Sequence, residues 1–260
     1  MLFILKIIFI KKNYLELKIY INLTKMQNLE LYENFDDMGL NDKLLRGIYG
    51  YGYEKPSSIQ QKAIVPISSD NDIIVQAQSG TGKSATFIIG TLQKLNKDLK
   101  SSQTIILSPT RELATQTENV FKNISKYLNI TSSITIGGTN ISENINELKN
   151  GSQYIIGTPG RVFDMLKRGY LDSKNLKNIV IDEADEMLSQ GFKEQIYEIF
   201  QYLPQKTQVI LVSATMPNEV LELTTKFMKE PLKILVKSED LTLEGIVQFY
   251  IDVVQEQWKI

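Results

Sequence analysis

Ile73-Ile74-Val75-Gln76-Ala77-Gln78-Ser79-Gly80-Thr81-Gly82-Lys83-Ser84 sets an apolar run against a glycine loop that ends in Lys-Ser. A strand that ends in such a loop and opens a helix aims backbone N–H groups and the helix N-terminus at one anion, so the stretch reads as a phosphate cradle. It departs from G-x-x-x-x-G-K-[ST] only at Ala77. In that pattern the backbone of Gln78, Ser79, Gly80, Thr81 and Gly82 lines the cradle, Lys83 reaches the β- and γ-phosphates, and the Ser84 hydroxyl binds magnesium. About a hundred residues on, Ile179-Val180-Ile181 runs into Asp182-Glu183-Ala184-Asp185. Acidic residues at a helix start are favoured by the macrodipole alone. After an apolar strand, with a phosphate loop in the same chain, they read instead as chemistry: Asp182 holds magnesium through water and Glu183 orients the attacking water. The two stretches together predict nucleoside triphosphate hydrolysis.

Composition bounds this reading without suggesting it. The chain has 260 residues, 42% hydrophobic and 23% charged, with a net charge of −1. Such values are ordinary for a globular chain and give no basic footprint for nucleic acid. There is no cysteine and no histidine, which excludes disulfides, thiolate nucleophiles, histidine–zinc sites and histidine triads. Residues 1–25 differ from the rest: they contain no Gly, Ala or Pro and carry net +4, against −5 for the remainder. The apolar run 2–10 is interrupted by Lys6, lacks a basic lead and a small-residue cleavage site, and is too short to span a membrane. The expectation is a non-native or disordered extension at 1–25, with the protein starting near Met26. A targeting segment is the alternative.

Beyond residue 35, short apolar runs at 73–75, 104–107, 133–136, 154–156, 179–181, 209–212 and 234–236 alternate with helical spacing at 85–95, 113–128 and 162–166. Continuous apolar runs suit strands buried on both faces of a parallel sheet, and the alternation predicts βαβ units in a doubly wound α/β domain. Five runs deliver special residues at their C-terminal ends, the edge where open α/β sheets bind ligands. Besides the two stretches above these are Pro109-Thr110-Arg111-Glu112-Leu113-Ala114, Thr158-Pro159-Gly160-Arg161 and Ser213-Ala214-Thr215. Singly, each reads as a helix cap, with Pro159 at a first helical position. Ser57 and Gln60 form a capping-box pattern, and a glutamine amide can also pair with an adenine edge.

The ordered set 52–60, 77–84, 109–114, Gly137-Gly138, 158–161, 182–185 and 213–215 resembles the first RecA-like P-loop domain of a DEAD-box ATP-dependent RNA helicase, over about residues 35–260. Phe35-Asp36-Asp37-Met38 and Leu241-Thr242-Leu243-Glu244-Gly245-Ile246 narrow the resemblance to the initiation factor 4A branch. The resemblance implies ATP and Mg2+ as cofactors. It implies that Gln60 and Pro56 read adenine with Tyr53 packed on the base, that the isolated upstream Phe35 belongs to the ATP-binding residues, and that Lys83 acts catalytically with Asp182 and Glu183. It also implies that Asp185 couples hydrolysis to domain movement through Ser213 and Thr215. Pro109, Thr110, Arg111, Gly138, Thr158, Pro159, Gly160 and Arg161 would line a sequence-tolerant path for single-stranded RNA.

The implied organisation is a lead-in at 26–50, an ATP-binding domain at 51–240 and, at 241–260, a linker and the start of a second RecA-like domain that is missing. In related phosphoryl transfer an arginine finger is worth about 10³–10⁵ in turnover, so the chain alone is expected to hydrolyse little. The resemblance also implies a monomer without membrane attachment, a translation-initiation scaffold as partner and a cytoplasmic setting. Three alternatives stay open: a non-catalytic module, a DNA-directed P-loop ATPase, and the nuclear relative of the exon junction complex.

Overall fold

Each of the seven apolar runs forms a strand. The structure, a computed structural model, describes residues 30–235; the expectations for residues 1–25, Val236 and 241–260 fall outside them. The strands are β1 (Ile73–Gln76), β2 (Thr104–Leu107), β3 (Ser132–Thr135), β4 (Tyr154–Gly157), β5 (Asn178–Ile181), β6 (Gln208–Ser213) and β7 (Leu232–Leu235). They join in one sheet of order β3-β4-β2-β5-β6-β1-β7, and every pairing is parallel.

Successive side chains of a strand face opposite ways, so the continuous apolar runs feed two cores. Ile73, Val75, Ile106, Val180 and Ile210 enter one, while Ile74, Ile105, Ile179, Ile181 and Leu211 enter the other. Helices α1 (Asp42–Tyr51), α2 (Ser58–Ile67), α3 (Lys83–Gln93) and α4 (Arg111–Ile124) cover the first core. The second is covered by α5 (Ile141–Lys149), α6 (Pro159–Lys167), α7 (Ala184–Ser189), α8 (Lys193–Tyr202) and α9 (Asn218–Phe227). This is the doubly wound α/β arrangement that the alternation predicts.

The helices begin two or three residues before the apolar spacing places them. Lys83-Ser84, Arg111-Glu112 and Pro159-Gly160-Arg161 form first turns that are polar because they face the ligand edge rather than a core. α1, α8 and α9 carry apolar stripes of their own, while α7 is only six residues long. The lead-in is no separate unit: Phe35, Leu44 and Ile48 are fully buried in the same core as β1 and α3. α1 stops at Gly52, whose φ of 103° lets its N–H reach back to the carbonyls of Ile48 and Tyr49. That left-handed turn brings Tyr51 and Tyr53 together, ring centroids 5.2 Å apart.

Phe35 belongs to the interior of this lead-in. It lies in a short 3₁₀ turn, Phe35–Met38, with 0% of its surface exposed and its ring edge-on to Tyr49. A ring with no exposed surface offers no face to a base, so Phe35 acts by packing. Phe35→Ala is expected to lower stability by about 3–5 kcal/mol, read from urea unfolding. At temperatures where the variant stays folded, its nucleotide affinity should match the parent's.

Candidate functional site

The parallel sheet delivers the loops that follow its strands to one edge, in the spatial order β3, β4, β2, β5, β6, β1. At the end of β1, Gly80 and Gly82 take φ values of 83° and 90°, conformations that only glycine adopts readily. Lys83 opens α3 and is buried. Its Nζ donates to Glu183 Oε1 at 2.8 Å, and Ser79 Oγ donates to the same oxygen at 3.2 Å. Glu183 itself sits at φ 49°, a left-handed backbone that costs a non-glycine residue about 1–2 kcal/mol. Local strain thus turns its carboxylate over the phosphate loop.

Asp182 lies beneath this ion pair. Its Oδ1 is buried with no hydrogen-bond partner. Burial first, then the neighbouring Glu183 charge, push its carboxyl from 3.8 up to about 7, with Lys83 pulling the other way. Ser84, half-buried on the first turn of α3, adds a hydroxyl. A lone carboxylate oxygen and a hydroxyl beside a phosphate loop are the hard donors that magnesium takes while keeping most of its water. The residues therefore fit that ion.

Asp185 is the opposite case. Burial opposes its ionisation, but hydrogen bonds from Thr215, Ser213 and backbone amides outweigh it and hold the carboxyl below its ordinary value. Thr215 Oγ1 and N donate to Asp185 Oδ2 at 2.6 and 3.0 Å, and Asp185 N donates to Ser213 Oγ at 3.2 Å. The three residues assigned to coupling are thereby one network joining the ends of β5 and β6.

The capping-box segment abuts the phosphate loop. Ser57 N donates to Gln60 Oε1 at 2.8 Å, closing the capping box, and Ser57 Oγ donates to Thr81 O at 2.9 Å. Gln60 is buried, and its Nε2 lies 2.8 Å from where a Cβ on Gly82 would stand. Pro56 is buried and Tyr53 half-buried beside this pair.

Beyond β5, Pro109, Thr110, Arg111, Thr158, Gly160 and Arg161 line one cleft of about 560 Å3, with Glu112, Gly137, Asp164 and Phe192. Gly138, at φ 80°, lies under the Arg111 guanidinium. Pro159 is the buried first residue of α6 and supports the cleft from behind. Cap and site readings coexist: Thr110 Oγ1 accepts from Leu113 N at 3.2 Å, whereas Thr158 makes no side-chain cap bond. Among the described residues, neither Arg111 nor Arg161 forms a salt bridge. The sequence gives no signal for Phe192, which reaches the cleft through tertiary packing, or for Asn144, which holds Arg161; Asp164 joins the cleft one turn after Arg161 on α6.

The family model for the DEAD/DEAH box helicases matches residues 57–223. The chain belongs to that family. It is 58% identical over 231 residues to the ATP-dependent RNA helicase eIF4A of Neosartorya fischeri, covering 89% of this chain and 58% of that protein. To its namesake in Meyerozyma guilliermondii it is 57% identical over 226 residues, or 87% and 57% of the two chains. A DEAD box protein from Methanococcus jannaschii has the same fold with a TM-score of 0.78 at 37% identity, covering 80% of this chain and 57% of that one. A Saccharomyces cerevisiae Dbp5 variant bound to RNA and ADP BeF3 gives 0.74 at 34%, covering 84% and 55%. This DEAD-box chain thus spans a little over half the length of its relatives. Among its described residues no helix is long and apolar enough to cross a membrane.

The raised Asp182 carboxyl fixes the sign of a pH effect. Between about 3.8 and 7 the folded chain holds a proton that the unfolded chain has released, so stability falls as pH rises through that window. Asp182→Asn should remove this falling limb and make the metal-free protein more stable at pH 8, by roughly 2–4 kcal/mol. Thermal melts from pH 4 to 8 check this. At pH 8 added magnesium and nucleotide should stabilise the parent and not the variant.

Proposed function

We propose that this chain carries the ATP-binding and catalytic part of an ATP-dependent RNA helicase of the initiation factor 4A type, a cytoplasmic protein acting in translation initiation. One observation carries the reading. Lys83 and Glu183, 100 residues apart, meet at 2.8 Å next to the buried, unpartnered Oδ1 of Asp182, and a cleft with two arginines free of salt bridges opens on the same edge.

The steps follow from the residues. The amides of residues 78–82 and Lys83 hold the triphosphate, while Gln60, fixed by Ser57, presents its amide to adenine with Tyr53 packed on the base. Ser84 and Asp182 hold Mg2+, which when bound offsets the negative charge on the phosphate oxygens. Lys83, on exchanging Glu183 for phosphate oxygens, leaves the Glu183 carboxylate free to accept a hydrogen bond from the attacking water and aim it. The Asp185–Ser213–Thr215 network registers the change at the end of β6. Arg111, Arg161 and the backbone around Gly138 and Gly160 hold RNA phosphates, which makes binding sequence-tolerant.

None of the chain's arginines serves the phosphate loop. Arg46 lies over the Tyr127 ring at 4.3 Å, Arg168 pairs with Asp164 at 2.7 Å, and the other two line the cleft. An arginine brought to the γ-phosphate from outside these 260 residues is worth about 10³–10⁵ in turnover. Phosphate release by the 260-residue chain, with and without single-stranded RNA, is therefore expected to stay near background. Binding of a fluorescent ATP analogue should persist in Glu183→Gln and be lost in Lys83→Ala. RNA-stimulated turnover that disappears in Glu183→Gln would overturn the need for an added arginine; unchanged nucleotide binding by Lys83→Ala would overturn the ATP site itself.

A further inference from the structure

Arg161 is held by neutral groups only. Its Nη1 donates to Asn144 Oδ1 at 2.8 Å and its Nη2 to the Thr139 carbonyl at 3.1 Å. Asn144 is itself buried on α5 and anchored, its Nδ2 donating to the Ile134 carbonyl at 2.7 Å. The amide thus bridges β3 and the guanidinium, using its donor on one and its acceptor on the other. This choice of partner has an electrostatic consequence. A carboxylate at the same place would form a charge-assisted bond of the same shape but would cancel the arginine's charge. An amide fixes the guanidinium while leaving its full positive charge in the cleft. Elsewhere this chain does pair exposed arginine with carboxylate, as in Arg168–Asp164 one turn further along α6.

We infer that Asn144 is a positioning residue for RNA binding: it orients Arg161 without an ion pair, so that this guanidinium meets a backbone phosphate as an aimed cation bonded to no carboxylate. The inference rests on the RNA reading of the cleft given above. It assigns to α5, a helix with no residue in that reading, the task of setting the charge of the RNA path.

The test uses the 260-residue chain with a fluorescein-labelled oligouridine strand, titrated by anisotropy at several salt concentrations in the presence of magnesium and a non-hydrolysable ATP analogue. Each phosphate contact by a cation contributes about 0.7 to the slope of log affinity against log salt for single strands. Asn144→Asp is expected to weaken binding at low salt and to flatten that slope by about 0.7, or about 2.6-fold less loss over about a four-fold rise in salt. Asn144→Ala, which frees Arg161 but keeps its charge, should weaken binding with the slope retained. A merely structural role would move affinity without separating the two slopes.

Asn144→Asp also gives up its bond to the Ile134 carbonyl, so folding is checked by circular dichroism. A double-mutant cycle of Asn144→Ala with Arg161→Ala supplies an independent readout: the second substitution should cost clearly less once the first is made. Equal slopes for Asn144→Asp and the parent, or additive losses in the cycle, would overturn the inference while leaving RNA binding intact. No effect of Arg161→Ala on RNA affinity would instead overturn the RNA reading, and the inference with it.

Discussion

A parallel strand buried on both faces has one exit, its C-terminal end, and in a sheet whose pairings are all parallel those exits share an edge. That constraint organises the molecule. Apolar runs alternate into two cores, helices on both faces return the chain to the opposite edge, and each new strand therefore releases its loop on the same side. Stretches that lie 100 residues apart become neighbours with no dedicated binding subdomain. The strand order then sorts the chemistry, with the phosphate loop on β1, the coupling serine on β6, the two carboxylates on β5, and the cleft on β2 and β4. On the function proposed above, the path from triphosphate to nucleic acid is a gradient of position across the sheet.

The strands were legible because burial on both faces demands a run of β-branched and aliphatic residues, and little else produces one. Helices were less so. α3, α4 and α6 showed their apolar stripe but not their first turns, whose polar residues belong to the site. α7 is too short to leave a period, and α5 is mostly polar with a single stripe of Ile141, Ile145 and Leu148. Within the site, the residue types of Lys83, Asp182, Glu183 and the two cleft arginines were readable from loops that follow strands. What could not be read was who touches whom. The pairing of Glu183 with Lys83, the left-handed backbone at Glu183, the unsatisfied oxygen of Asp182 and the hold of Asn144 on Arg161 all depend on distances between segments remote in sequence. Phe35 shows the converse. Only the resemblance links it to the ATP site, and its burial is visible in the structure alone, in the core beneath the glycine–tyrosine turn.

Asp182 and Glu183 are adjacent and share a logic. One holds an unpartnered buried oxygen, the other a backbone conformation that its side chain disfavours, and both lie where charge has to be handled. The surrounding sheet is what tolerates them. β5 is flanked on both sides by strands and covered by helices on both faces, so the two local penalties are small beside the burial that fixes it. Strain here is confined to two residues at the tip of a rigid strand, which keeps their geometry from relaxing away.

The contact of Gln60 with Gly82 has a bearing on how such a chain can vary. The amide of the base-reading glutamine fills the space that any side chain at position 82 would need, and Ser57 ties the same segment to the carbonyl of Thr81. The glycine is thus required twice, once by the curvature of the loop and once by the neighbour that leans on it. A substitution at 82 would strike both recognition events at once, and a change at 60 could not be repaired by reshaping the loop alone. The two positions are free to drift only together, so tolerance to mutation at this corner of the molecule is set by a shared volume rather than by either residue's own task.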